Sequence, residues 1–84
     1  MFYVYLLKSI KNNKVYIGRS SDLKRRLKEH LNQKVKTTKS YGKVKLIFYE
    51  AFLSKEDSIR REKYFKSSKG RSSLRQIVRE SLKR

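Results

Sequence analysis

Two short segments rich in tyrosine and aliphatic residues, joined through an Asn-Asn pair, restrict what this chain can fold into more than any other part of it. Residues 2–7 read Phe-Tyr-Val-Tyr-Leu-Leu and residues 14–19 read Lys-Val-Tyr-Ile-Gly-Arg, with Asn12-Asn13 between them. Aromatic and β-branched residues suit a pleated, half-buried surface. Asn tolerates the left-handed backbone that a tight hairpin needs. The segments therefore predict a β-hairpin with strands over 2–8 and 14–19. With Asn12-Asn13 as a two-residue turn, Lys11 pairs with Lys14, and odd positions of the first strand share a face with even positions of the second. Tyr3, Tyr5, Leu7, Tyr16 and Gly18 then lie on one face, and Val4, Leu6, Val15 and Ile17 on the other. The aliphatic face is expected to be buried. The phenol face has Gly18 beside Tyr5, leaving room for another group to approach the backbone. A larger loop that shifts the pairing by an even number preserves these faces.

A helix is predicted over 22–33. Ser20-Ser21-Asp22 is a cap cluster, and Asp22 suits the positive end of the helix dipole. Leu23, Leu27 and Leu31 form its apolar stripe. His30 falls inside that stripe and Arg26 at its edge, whereas Lys24, Lys28 and Glu29 face water. An inward Arg beside an inward His is costly unless it meets a partner or a ligand.

Residues 32–43 read as a basic loop, with Lys34, Lys36 and Lys39 placed to contact phosphate. Residues 44–52 are apolar, β-branched and aromatic, and predict a third strand. Ser54 and Asp57 form a capping-box pattern ahead of a helix over 55–67, which places Ile59, Glu62, Lys63 and Lys66 on one side. Gly70 reads as a helix stop, and Ser72-Ser73 as the cap of a last helix over 72–83. Leu74, Ile77, Val78 and Leu82 recur there at helical spacing and belong to the core.

The chain carries a net charge of +17 over 84 residues, which points to a polyanionic partner. No cysteine is present, so disulfides and thiolate-bound zinc are excluded. No apolar run is long enough to span a membrane, and no secretory segment is visible, so a cytoplasmic protein of one domain over 1–84 is expected. Of the seven acidic residues, Asp22, Glu56 and Asp57 are helix-start residues, Glu29 faces solvent and Glu80 belongs to the last helix. Glu50 and Glu62 are left as candidates for chemistry.

Tyr3-Val4-Tyr5, then Tyr16-Ile17-Gly18 after ten intervening residues, then Arg26 and His30, resemble the GIY-YIG nuclease family. Within it, the chain is similar to the small bacterial members related to the nicking domain of the excinuclease C subunit. The resemblance implies an α/β (α+β) fold, a three-stranded antiparallel sheet flanked by about three helices in the order β-β-α-β-α-α. It implies an endonuclease that hydrolyses phosphodiester bonds, with DNA the expected substrate and Mg²⁺ (or Mn²⁺) the cofactor. It selects Glu62 as the metal ligand, Tyr5 and Tyr16 as catalytic phenols, Arg26 as the scissile-phosphate ligand and His30 as a group that orients a phenol or moves a proton. A free phenol has a pKa of about 10 and is a poor base at neutral pH unless cations favour phenolate. Arg19, Lys34, Lys36, Lys39, Lys66 and Lys69 are the expected nucleic-acid contacts. Tyr3 stands where the family name has its first Gly. Leu74 stands where many members carry an Asn, a task that then falls to Lys66 or Lys69. The alternative reading is a non-catalytic basic module that binds nucleic acid on the same fold.

Overall fold

A computed structural model describes residues 1–84, with elements in the order β1 (Phe2–Ser9), β2 (Val15–Ser20), α1 (Leu23–Leu31), a 3₁₀ helix (Lys36–Tyr41), β3 (Val44–Phe52), α2 (Lys55–Lys66), α3 (Ser68–Ile77) and a terminal 3₁₀ turn (Ser81–Lys83). The three strands form one antiparallel sheet in the order β2-β1-β3. Fold class and element order are those the resemblance implies. No helix is long and apolar enough to cross a membrane.

The hairpin register differs from the two-residue turn. Tyr5 pairs with Gly18, Leu7 with Tyr16 and Lys8 with Val15, two residues off the expected pairing. The loop is longer because Ser9 organises it. Its amide donates to the Lys14 carbonyl at 2.8 Å, and its buried hydroxyl accepts from the amides of Lys11 and Asn12. Asn13 supplies the left-handed step, with φ 61°. The shift is even, so Tyr5, Tyr16 and Gly18 still share a face.

Both faces of the sheet are covered, which explains why β1 is buried at four successive positions instead of alternating. Val4, Leu6 and Ile17 pack against Phe65, Leu74 and Val78 from α2 and α3. Tyr5, Leu7 and Val44 pack against Leu23 and Leu27 of α1 and Tyr41 of the 3₁₀ helix. Each large side chain so buried contributes about 1.5–3 kcal/mol. Between Leu6 and Leu7 the register slips, Leu6 facing Phe48 and Leu7 facing Leu46. The extra residue, Ile47, joins the α2/α3 side with Phe48.

The C-terminal half departs further from the sequence reading. Gly70 is not a stop; it lies inside α3, which starts four residues earlier than the expected 72. Ser67, not Ser72 or Ser73, caps it by accepting from the Gly70 amide at 3.1 Å. A Cβ on Gly70 would lie 1.7 Å from the Tyr64 carbonyl, so glycine is required by the tight corner between α2 and α3. The expected capping box is also absent. Ser54 caps α2 without a side-chain bond, and Asp57 instead binds Arg60.

Candidate active site

The site is built where α1, the 3₁₀ helix and α2 converge on the β1–β2 pair. α1 begins because Asp22 accepts from the Arg25 amide at 3.1 Å. Leu23 and Leu27 of its expected stripe pack onto the sheet, whereas Leu31 is exposed, and this seating brings His30 to the tyrosines with Arg26 beside it. Gly18 does not leave room for a visitor, as the sequence suggested. A Cβ there would lie 2.5 Å from the Tyr5 hydroxyl and 2.8 Å from the Tyr16 ring, so the missing side chain is what lets Tyr5 lie across β2.

Tyr5 and His30 are each only 1% exposed. The Tyr5 hydroxyl lies 2.9 Å from His30 Nε2, and His30 Nδ1 lies 2.7 Å from the hydroxyl of Thr38, itself buried. The Arg26 cation is near enough for its charge to act on the Tyr5 phenol. In a neutral imidazole one ring nitrogen donates and the other accepts, and the hydroxyls of Tyr5 and Thr38 can each serve either role. A buried hydrogen-bonded chain thus runs from Tyr5 through His30 to Thr38.

The electrostatics agree with this chain. Burial pushes the Tyr5 phenol up to about 12, against a smaller pull downward from Arg26, so Tyr5 is neutral at physiological pH. Burial also pushes His30 down, and the neighbouring Arg26 cation adds to that. A folded-state pKa below the unfolded value means that the unfolded chain takes up this proton first, so stability is lost as the pH falls below about 6.5. Thermal melts between pH 7 and 5 should show a decline that His30→Gln flattens. An unchanged slope in that variant would contradict the buried neutral imidazole.

Tyr16 is the accessible phenol. It is half-buried, with its ring 5.2 Å from His30 and 6.3 Å from Tyr5 between centroids. Arg26 is also less enclosed than expected, with 36% of its side chain exposed, and Glu29, expected to face water, is its partner at 2.8 Å. The guanidinium holds the Glu29 carboxyl below its usual range. An anion thus already occupies one edge of the Arg26 fork.

Glu62 approaches from α2 on the other side of the sheet, near enough for its charge to act on Tyr5. Its side chain is 21% exposed and lies 3.6 Å from Arg19 Nε and 3.3 Å from Lys66 Nζ. Arg19 Nε is buried and makes no hydrogen bond. Glu50, the other acidic candidate, is held in a fork by Arg61 at 2.8 and 3.1 Å, while Arg61 stacks 4.3 Å from the Phe65 ring centre. Glu50 is thereby accounted for as a structural partner.

Of the expected basic contacts, Arg19 and Lys66 meet at Glu62. Lys34, Lys36 and Lys39 are exposed in and beside the 3₁₀ helix, and Lys69 is exposed on α3 with no ion pair. Leu74 is buried in the core, and of the two lysines expected to replace the family Asn it is Lys66 that lies beside Glu62. Thr38 was not expected at all. It sits in a Lys-rich stretch without apolar periodicity, and a single buried hydroxyl on a six-residue 3₁₀ helix leaves no signal in the sequence.

No group of three or more His, Cys, Asp or Glu side chains converges anywhere in the molecule. A zinc-type cage is therefore not built. A lone, partly exposed carboxylate such as Glu62 fits Mg²⁺, which keeps several waters and takes further oxygens from substrate phosphates.

Comparison with known proteins identifies the family. A family model described as the GIY-YIG catalytic domain matches residues 1–75. A UPF0213 protein of Clostridium perfringens is 37% identical over 84 residues, covering 99% of this chain and 89% of that protein. One from Streptococcus agalactiae is 37% identical over 76 residues, covering 89% and 85%. The solution NMR structure of the UPF0213 protein BH0048 from Bacillus halodurans matches with a TM-score of 0.56 at 34% identity, covering 92% of this chain and 85% of that one. The matched span holds the tyrosine pair, Arg26, His30 and Glu62, and this chain belongs to the GIY-YIG nuclease family.

Proposed function

We propose that the protein is a divalent-metal-dependent endonuclease that hydrolyses phosphodiester bonds in nucleic acid, with DNA the leading substrate. The observation that carries this reading is the clustering of Tyr5, Tyr16 and His30 beside the Arg26 cation, with Glu62 of α2 paired to Arg19 on the same strand as Tyr16. Core packing alone gives no reason to bring a guanidinium and a carboxylate to a buried phenol–imidazole pair.

Arg26 binds the scissile phosphate through the face of its fork not taken by Glu29, in a two-point geometry that Lys cannot copy. Tyr16, as the accessible phenol, orients the attacking water and, in its phenolate form, would take the proton that the water loses as its oxygen bonds to phosphorus. Tyr5 stays protonated and acts from behind, holding the His30 ring through its hydroxyl. Thr38 anchors the far side of that ring. Glu62 would hold Mg²⁺ or Mn²⁺, which supplies Lewis acidity toward the phosphate oxygens. Lys66 and Arg19 add positive charge beside the departing oxygen.

The test is a metal-titrated cleavage assay over duplex, nicked, flapped, branched and single-stranded DNA, and RNA. Cleavage that requires Mg²⁺ or Mn²⁺ is the expected result. Binding should weaken steeply with salt, log affinity falling by roughly 0.9 per duplex phosphate neutralised. A salt-insensitive affinity would remove the electrostatic basis of the reading. The binding-module alternative draws on one observation, that Glu62 is already satisfied by Arg19 and Lys66 as an ion-pair cluster. Purified protein that binds but cuts nothing with either metal would favour it.

A further inference from the structure

We propose that the groove between the β2 edge and α3 receives one unpaired nucleotide of the substrate, next to the phosphate that is cut. This rests on the nuclease reading and extends it to the form of the substrate. The groove has a volume of about 380 Å³, and Ile17, Leu74 and Val78 form its apolar floor. Tyr16 and Tyr41 line it from the 3₁₀-helix side, and Tyr41 is tied to the strand edge by its hydroxyl, 3.5 Å from the Val15 carbonyl. Across from them stand Lys66, Arg71 and Arg75, without an acidic residue anywhere in the lining.

Each part of this lining matches one part of a nucleotide. An apolar floor with aromatic and guanidinium edges suits the flat face of a base, which stacks without regard to sequence. Three cations on one rim suit the phosphates on either side of it. A phosphate alone would have no use for the floor, and an uncharged ligand no use for the rim.

Position identifies the occupant further. Tyr16 belongs both to the groove and to the ring cluster with His30, and Lys66 lines the groove while pairing with Glu62. Whatever fills the groove is therefore continuous with the group bound at the catalytic residues. A base within continuous duplex is stacked and paired, and extruding it costs a few kcal/mol; a base at a flap, gap or single strand is already free. The groove thus selects substrates with an unpaired nucleotide at the cut site.

The experiment measures binding alone, with the full chain carrying Glu62→Gln so that nothing is cut. Flapped duplexes are titrated by fluorescence anisotropy while single abasic sites are moved, one nucleotide at a time, across the branch. Loss of one particular base should lower affinity about tenfold, and its neighbours far less. The double variant Arg71→Glu, Arg75→Glu should erase this position dependence. Lys24→Glu with Lys55→Glu, an equal charge change at exposed positions outside the groove, should weaken binding while keeping it. A profile with no preferred position overturns the groove assignment. Because the scan needs no catalysis, a flat profile in a protein whose wild type cleaves discards the groove alone. A peaked profile in a protein that never cleaves keeps the groove and discards the nuclease.

Discussion

Glu62→Gln should lower metal-dependent cleavage by about a thousandfold, the scale expected when Lewis-acid stabilisation worth several kcal/mol is lost. Gln keeps the shape of the side chain and one oxygen, but not the charge that holds a divalent cation. Binding of nucleic acid should stay the same or tighten a few-fold, because Lys66 and Arg19 lose their counter-ion and face phosphate unopposed. Stability should move by no more than about 1 kcal/mol, since these ion pairs are partly exposed and screened. Single-turnover cleavage, anisotropy and a melt on the same preparation separate the three effects. Glu62→Gln protein that cuts as fast as wild type would remove Glu62 from the chemistry.

Arg26→Ala is expected to cost about 10²–10³-fold in cleavage, the usual result of removing one preorganised donor to charge that builds in the transition state. Its partner provides the contrast. Glu29 competes with phosphate for the same guanidinium, so Glu29→Gln should tighten substrate binding while cleavage stays within a few-fold of wild type. Arg26→Lys should recover little, because a single ammonium cannot hold Glu29 and a phosphate in one planar fork. If Arg26→Ala and Glu29→Gln shift cleavage in the same direction by the same factor, the pair serves helix α1 and not the phosphate.

The strands, the first helix and the shared face of Tyr5 and Tyr16 were legible because they rest on periodicity, and even a two-residue error in register left side-chain faces unchanged. What the sequence hid are features set by tertiary packing. Gly70 looks like any helix-ending glycine until the α2–α3 corner brings the Tyr64 carbonyl against it. Gly18 suggested free space, yet that space is filled by Tyr5 from the neighbouring strand. Glu29 sits at a position that helical spacing assigns to solvent, and only the rotamer of Arg26 makes it a partner. Arg61 lies between Ser58 and Phe65 on the inward side of α2, where its pairing with Glu50 and stacking on Phe65 replace an apolar residue. These are contacts between elements, and no window along the chain contains them.

The placement of Tyr5 on the central strand has a consequence for when the protein can act. β1 needs β2 on one edge and β3 on the other, and on the β3 edge Phe2 pairs with Phe52, far along the chain. The first pairing closes early, being local. The second must wait for a long loop to close, a slow step in chains dominated by distant contacts. Until it closes, Tyr5 lacks the burial that holds it aligned with His30. During synthesis, a nascent chain that has emerged through α1 already carries both tyrosines, Arg26 and His30, but it lacks Glu62 and the closing strand. On the proposed nuclease reading, a partly made copy is therefore inert, and the site is assembled only with the completed sheet.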